Sequence, residues 1–304
     1  MPAMTEIKHV RPQAWILAIR PKTLPAAAAP VIIGAALAYH HGSFDGSITL
    51  ACLLVALFLQ IGSNLANDVY DYEKGADAGV RLGPTRVTQA GLLAPQDVKR
   101  GMWVAFGLAA LFGLTLVFRG GWPILILGVA AILSAIVYTG GPFPLGYHGL
   151  GDLFVFIFFG LVATAGTFYI QTGGVSLDVW AMAAAVGFLT VNILVVNNIR
   201  DRESDLRVGK KTLAVRLGAK GALVEYILLM SLAYMVPVLL WGGGWLPVGA
   251  LGALLSLPRA IHWANFLRKN SGKALNKALA GTSQVELAYA LSFAIGLIFS
   301  HIAI

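Results

Sequence analysis

The sequence predicts an all-α, polytopic membrane protein with about nine transmembrane helices. The first observation is the composition: of 304 residues, 58% are apolar and only 12% are charged, and the mean hydropathy is +0.76. This balance excludes an ordinary soluble globular protein. The second observation is a succession of apolar segments, each near the length of about 20 residues that a helix needs to cross a hydrocarbon core.

The nine segments can be taken in order. They lie at 23–40, 48–68, 99–118, 122–139, 150–171, 178–198, 220–241, 245–263 and 284–303. Gly and Ala are frequent in them, which is typical of membrane helices that pack closely. We expect no removable signal peptide, because the first 20 residues contain no short apolar core followed by a small-residue cleavage site. We treat 1–304 as one transmembrane domain, in which 1–22 is a cytosolic N-terminal segment.

The distribution of Lys and Arg predicts the orientation. With the N-terminus inside, 21 of the 22 basic residues lie on the inner side, and only Arg119 falls outside. This asymmetry indicates a cytosolic N-terminus and an outside C-terminus, in a cell inner or plasma membrane or in a thylakoid or plastid membrane. The net charge of +8 is spread over short segments between apolar runs, where membrane lipid is the natural partner and nucleic acid is not.

The inside loops at 69–98 and 199–219 are long and contain seven of the 14 acidic residues, so we expect the active site on the inner face. The first of them follows an oxygen-rich helix end. Asn64, Asp68 and Asp71 are spaced i, i+4, i+7, and Asn67 and Asp71 form a second pair, so their oxygens share one helical face. Carboxylates cost about 2.5–3.5 kcal/mol each at the centre of a membrane helix and therefore need a partner.

A second oxygen-rich end closes the sixth predicted helix, where Asn197, Asp201 and Asp205 are spaced i, i+4, i+8. Both ends are followed by a basic loop. This likeness predicts two related four-helix halves around a central cavity, with a ninth helix added.

Oxygen ligands without nearby His or Cys suit a hard cation such as Mg²⁺, which prefers few carboxylates plus phosphate oxygens of a substrate. A diphosphate is the natural bridging ligand. Arg86, Lys210 and Lys211 can bind the phosphate oxygens that the metal leaves uncovered and stabilise the charge on a departing diphosphate. The alternative is that the acids are solvated helix ends paired with nearby arginines.

Two Gly- and Pro-containing loops complete the candidate site. The loop 81–91 contains Arg81 and Arg86 and is interpreted as an active-site cover, with a plain cytosolic turn as the alternative. The loop 138–148 has no Lys or Arg and is dense in aromatic residues, which can stabilise an allylic cation or stack on an aromatic acceptor. For Tyr138, interfacial anchoring is the alternative.

The patterns Asn67-Asp68-x-x-Asp71 and Asp201-x-x-x-Asp205, at the inner ends of membrane helices, resemble the intramembrane aromatic prenyltransferases of the UbiA superfamily. The resemblance spans nearly the whole chain. Five stretches look like its menaquinone-pathway branch, the 1,4-dihydroxy-2-naphthoate polyprenyltransferases and their phytyl-transferring relatives: RPKTLP at 20–25, NLAND at 64–68, GPTRVTQ at 83–89, YTGGP at 138–142 and KTLAVRLG at 211–218. The missing Lys-Arg pair after Tyr138 fits that branch better than the hydroxybenzoate branch.

The resemblance implies Mg²⁺-dependent transfer of a polyprenyl or phytyl group from its diphosphate to an aromatic acid, 1,4-dihydroxy-2-naphthoate, with decarboxylation. The residues that it assigns to the two diphosphate–magnesium sites are Asn64, Asn67, Asp68, Asp71, Asp201 and Asp205. Arg86 and Lys211 match the basic residues that follow the two motifs. The residues expected to contact the substrates are Asn64, Asn67, Arg81, Tyr138, Asn197, Lys210 and Asp152.

Two positions stay open within the resemblance. The wider pattern has another Asp four residues beyond Asp71, but Gly75 stands there and the nearest acid is Asp77, so a ligand role for Asp77 is undecided. Asp152 matches an acidic position of the branch and can assist the acceptor, but helix N-capping has an equal claim.

Two rival functions remain. A secondary transporter or divalent-cation carrier also places acids in membrane helices, although its sites tend to lie near the midplane rather than beside basic loops. The same prenyl transfer to homogentisate, hydroxybenzoate, haem or chlorophyllide is the nearer rival. Prenyl length and oligomeric state stay open.

Overall fold

The computed structural model describes residues 7–75 and 82–302, and this part of the chain contains helices and turns but no β-strand. The all-α prediction is confirmed. The α-helices, in chain order, are α1 (Ile7–Ile19), α2 (Pro25–His40), α3 (Gly46–Glu73), α4 (Pro95–Gly120), α5 (Trp122–Val137), α6 (Gly151–Val155), α7 (Ala163–Thr172), α8 (Leu177–Arg207), α9 (Leu213–Gly242), α10 (Leu257–Lys269) and α11 (Leu275–Ile302). A π-helical segment, Phe156–Val162, joins α6 and α7 into one continuous helix.

Six helices among the described residues are long and apolar enough to cross a membrane: Gly46–Glu73, Pro95–Gly120, Gly151–Thr172, Leu177–Arg207, Leu213–Gly242 and Gly272–Ser300. A seventh span results if Pro12–Thr23 and Pro25–His40, which meet at 48°, are counted together. The predicted count of nine is therefore not confirmed. Two predicted segments fall short, because α5 has only 16 residues and 245–263 is divided between the 3₁₀ segment Val248–Ser256 and α10.

Local chemistry explains where the helices around the site begin and break. The carboxylate of Asp45 accepts hydrogen bonds from the backbone N–H groups of Ser47 and Ile48, which caps the N-terminus of α3. Thr212 caps α9 through the N–H of Val215. The break between α1 and α2 lies at Arg20, whose φ of 55° is left-handed and interrupts the helix before Pro21.

Buried apolar side chains of the described residues form three clusters around a central cavity. The largest is formed mainly by α2, α8, α9 and α11, the second by α1, α3 and α4, and a smaller third cluster includes Val31, Cys52 and Ile124. Small residues allow close helix approach: an added Cβ at Gly62 of α3 would meet the ring of Phe106 of α4. The cavity between them has a volume of about 570 Å³ and is lined by residues of α2, α3, α4, α5, α7 and α8. The internal likeness of two four-helix halves stays a prediction.

Candidate active site

The polar end of the cavity brings together the C-terminal ends of α3 and α8. Asn67 and Asp71 of α3 line it together with Asn197, Asp201 and Asp205 of α8. Residues of both oxygen-rich helix ends therefore line one compartment. The deeper walls are apolar and include side chains of α4, α5 and the π-helical segment.

Lys210 links the two clusters. Its ammonium nitrogen lies 3.4 Å from Oδ1 of Asp71 and 3.9 Å from Oδ1 of Asp205. Lys210 lies on the short turn between α8 and α9, and only 16% of its side chain is exposed. A cation between two largely buried carboxylates offsets their mutual repulsion, and it is placed to receive phosphate oxygens entering the same space.

Asp71 is held from several sides. Nη2 of Arg86 donates to Oδ2 of Asp71 at 2.6 Å, and the hydroxyl of Tyr147 donates to Oδ1 at 2.8 Å. Arg86 also donates to the backbone carbonyl of Asn67. Because the side chains of Arg86 and Asp71 are 9% and 2% exposed, this ion pair is shielded from water and its geometry is well defined.

Asp68 faces away from the cavity. Its two carboxylate oxygens accept the backbone N–H groups of Val87 and Thr88, each at 3.1 Å. Asp68 thus ties the described part of the predicted cover loop to α3, and the preceding residue in that loop is Arg86. The sequence places Asp68 with Asp71 on one helical face, but the fold directs the two carboxylates to different partners.

Asp201 is engaged by its neighbour in the chain. Nε and Nη2 of Arg200 donate to the two carboxylate oxygens of Asp201 at 2.8 and 2.6 Å. The same guanidinium donates to Oδ1 of Asn197 at 2.6 Å and to Oδ1 of Asn276 at 2.8 Å. Nδ2 of Asn276 in turn donates to the carbonyl of Leu82 at 2.7 Å, so α11 connects the second cluster to the loop after the first.

Arg200 and Asn276 were not among the predicted site residues. Arg200 stands inside the acidic motif, so its position in the sequence was a usable signal. Asn276 is distant in the chain, and no pattern in the sequence pointed to it. Tyr147 was part of the predicted aromatic loop but was not singled out.

The two asparagines of the first cluster line the cavity and also form hydrogen bonds with neighbouring segments. Nδ2 of Asn64 donates to the carbonyl of Ile19 at 2.9 Å and to Oγ1 of Thr23 at 3.1 Å. Oδ1 of Asn67 accepts from Thr139 at 3.0 Å. These bonds connect α3 to the break before α2 and to the turn that follows α5.

The structure describes three of the remaining predicted residues. Tyr138 lines the cavity, whereas Lys211 is exposed and does not. Asp152 is buried but does not line the cavity. It is the second residue of α6, whose N-cap is Leu150, and its Oδ1 has no hydrogen-bond partner among the residues that the structure describes. Arg81 lies outside the described residues.

Asp77 also lies outside the described residues.

Lys74, just beyond α3, donates to the carbonyl of Gly141 at 2.9 Å. Partial loss of hydration lowers the pKa of the Lys74 ammonium group, and the nearby Asp71 carboxylate opposes this shift.

The donor set fits a metal that binds together with its substrate. Within residues 7–75 and 82–302, no three His, Cys, Asp or Glu side chains converge tightly enough to hold an ion by themselves. Oxygen donors of Asp71, Asp201 and Asp205 nevertheless line one space. Mg²⁺ is usually held by one or two carboxylates plus substrate phosphates, so the arrangement suits a magnesium–diphosphate complex better than a bare ion.

Comparison with known proteins agrees with this chemistry. A model of the UbiA prenyltransferase family matches residues 27–287, which is most of the chain. The chain belongs to the UbiA prenyltransferase family. It is therefore an integral membrane prenyltransferase, and the resemblance seen in the sequence is confirmed.

Among curated relatives of this UbiA-family chain are two proteins named 1,4-dihydroxy-2-naphthoate octaprenyltransferase. The one from Escherichia coli (strain K12) is 38% identical over 98% of this chain and 99% of its own length. The one from Mycobacterium tuberculosis (strain ATCC 25618 / H37Rv) is also 38% identical, over 95% of this chain and 98% of its own length.

The fold of this UbiA-family chain is similar to that of a UbiA homologue from Archaeoglobus fulgidus solved with GPP and Mg²⁺. The TM-score is 0.68 at 14% sequence identity, with 93% of this chain and 99% of the homologue covered. At that identity the likeness establishes the fold.

Proposed function

We propose that the chain transfers a polyprenyl or phytyl group from its diphosphate to 1,4-dihydroxy-2-naphthoate, with decarboxylation, to give a demethylmenaquinol or demethylphylloquinol. The observation that carries the proposal is the meeting of two oxygen-rich helix ends, joined by Lys210, at the polar end of one cavity with apolar walls. A diphosphate fits the polar end, and a prenyl chain fits the apolar walls. The acceptor is named from the relatives of E. coli and M. tuberculosis.

The cations of the site hold the leaving group. Arg86 and Lys210 both form ion pairs with the Asp71 carboxylate, and both can donate charge-assisted hydrogen bonds to phosphate oxygens. As the allylic C–O bond breaks, its electron pair leaves with the diphosphate, and fixed cations stabilise that developing charge more than they stabilise the intact substrate. Asp71, Asp201 and Asp205 would hold Mg²⁺ together with phosphate oxygens. Bound Mg²⁺ would act as a Lewis acid and neutralise part of the same charge.

The acceptor completes the reaction without an added base at the reacting carbon. The ring carbon that carries the carboxylate forms the new C–C bond to the allylic cation. The C–C bond to the carboxylate then breaks and carbon dioxide leaves. The electron pair of that bond stays with the ring and restores its aromaticity. Tyr138, which lines the cavity beside the polar end, can contact the acceptor ring.

The distribution of basic residues supports a location in the cell inner membrane with the polar end of the cavity on the cytosolic side. Bacterial relatives support the same compartment. In this arrangement the soluble aromatic acid enters from the cytosol, and the prenyl chain enters from lipid.

The deciding experiment uses purified protein in liposomes without an ion gradient. It is incubated with 1,4-dihydroxy-2-naphthoate, Mg²⁺ and prenyl diphosphates of several lengths, and lipid products are identified by mass spectrometry while pyrophosphate release is measured. We expect a decarboxylated prenyl naphthoquinol and equimolar pyrophosphate. If product forms only with homogentisate or 4-hydroxybenzoate, that compound is the acceptor instead of dihydroxynaphthoate. If no prenyl product forms, and the same liposomes given a Mg²⁺ gradient show divalent-cation flux, the transporter is favoured.

A further inference from the structure

Tyr147 occupies the junction between the two clusters. It lies in the 3₁₀ segment Leu145–His148, between α5 and α6, and lines the cavity. Its hydroxyl donates to Oδ1 of Asp71 at 2.8 Å. The centre of its ring lies 4.5 Å from the ammonium nitrogen of Lys210 and 5.2 Å from that of Lys74.

These contacts give the two parts of the side chain different partners. The hydroxyl shares one oxygen of Asp71 with Lys210, whose nitrogen lies 3.4 Å from that oxygen. The ring presents a π face to the Lys210 ammonium, and such a face attracts a cation without competing for its hydrogen bonds. Lysine has a flexible four-carbon stem, so a fixed aromatic face restricts where its charge can be.

The backbone of Tyr147 makes a third contact that does not depend on its side chain. Its carbonyl accepts the N–H of Lys211 at 2.8 Å. Because this bond uses only the backbone carbonyl of Tyr147, side-chain substitutions keep it, and the loop before α6 stays connected to the turn before α9. Side-chain variants can therefore separate the role of the ring and hydroxyl from the role of the loop.

We propose that Tyr147 is a positioning residue for the diphosphate of the prenyl donor: its ring holds the Lys210 ammonium group for binding, and its hydroxyl orients the Asp71 carboxylate for ionisation. The proposal rests on the proposed function for the identity of the donor. The binding role of the ring can be tested with inorganic pyrophosphate alone.

The test compares Tyr147→Phe, Tyr147→Trp and Tyr147→Leu with Tyr72→Phe as the matched control, because Tyr72 is an exposed tyrosine on the same helix as Asp71. Phe and Trp keep an aromatic face and lose the hydroxyl, whereas Leu loses both. In turnover assays, Phe and Trp should lower kcat by about tenfold with KM for the prenyl diphosphate within about twofold. Leu should lower kcat similarly and raise KM by about tenfold.

The second readout is calorimetric binding of pyrophosphate with Mg²⁺ to folded protein in detergent. Leu should weaken binding by about tenfold, while Phe, Trp and the Tyr72 control stay within about twofold of the wild type. The division of roles is overturned if all variants bind pyrophosphate equally well, or if Tyr147→Phe, Tyr147→Trp and Tyr147→Leu lose pyrophosphate affinity to the same extent. If the wild type makes no prenyl product but the binding pattern is obtained, the proposed reaction falls while the positioning of Lys210 stands. If Leu does not fold, Trp and Phe still decide the hydroxyl's role, since unchanged kcat in both contradicts it.

Discussion

The ammonium nitrogen of Lys210 lies 3.4 Å from Oδ1 of Asp71, although Asp71 ends the first acidic motif and Lys210 follows the second. This relationship ties the end of α3 to the turn after α8. It also distinguishes Lys210 from its neighbour Lys211, which is exposed and does not line the cavity.

Lys210 and Lys211 form a natural pair for mutation. We expect Lys210→Ala to raise KM for the prenyl diphosphate by about tenfold or more, because charge-assisted hydrogen bonds are worth about 1.5–3 kcal/mol. Lys211→Ala should change KM by less than about twofold. Steady-state kinetics with a fixed acceptor gives both values. The opposite ranking would support the assignment that the family resemblance makes for Lys211.

Asp71→Asn should lower kcat by about 100-fold or more, since it removes the charge that organises Arg86 and Lys210 around the leaving group. The control is Asp97→Asn on α4, whose carboxylate is 41% exposed and pairs with the exposed Arg100. Turnover and thermal unfolding are measured in parallel. Wild-type turnover in Asp71→Asn would contradict the mechanism.

Asp68→Asn should act through the cover loop. One carboxylate oxygen is replaced by an NH₂ group that faces a backbone N–H of Val87 or Thr88, so one hydrogen bond is lost at a cost of about 1–3 kcal/mol. Hydrogen exchange of these two amides should quicken, and activity should fall, while exchange in α9 stays unchanged. Loss of activity with unchanged exchange at 87–88 would indicate that Asp68 contacts substrate or metal directly.

Chelation should remove activity without unfolding the protein. The described residues contain no preformed cluster of three His, Cys, Asp or Glu ligands, so the metal is expected to arrive with the diphosphate and to add little to the stability of the free protein. We expect EDTA to abolish prenyl transfer, Mg²⁺ to restore it, and the unfolding midpoint without substrate to shift by less than about 2 °C. A large shift would indicate a structural metal.

Gly296 tests the packing of the last helix. An added Cβ there would meet the carbonyl oxygen of Gly249, so Gly296→Ala forces a backbone shift and should cost about 1–3 kcal/mol of unfolding free energy. Gly107→Ala on α4 is the control, because an added Cβ at that position would point into open space, at least 4 Å from any described atom outside its own stretch of helix. Denaturant unfolding in detergent measures both. Equal stability of the two variants would contradict close contact at Gly296.

Much of the fold was accessible from the sequence because the membrane imposes a simple rule. A chain that crosses a hydrocarbon core must satisfy its backbone internally, so apolar length predicts helices directly. The rule fails where helices are short or broken, as at α5 and at 245–263, since length alone does not reveal a 3₁₀ segment or a bend.

The sequence by itself determined the all-α membrane class and the two oxygen-rich helix ends, because hydropathy and i, i+4 spacing are local properties. The family was indicated by the resemblance of the motifs. The tertiary structure alone decided which carboxylates face the cavity. Asp68 was directed to the loop amides, Asp71 to Arg86 and Tyr147, and Asn276 was brought from α11 to Arg200. Spacing along a helix fixes the face on which a side chain lies, but the partner it meets is set by distant segments packed against that face.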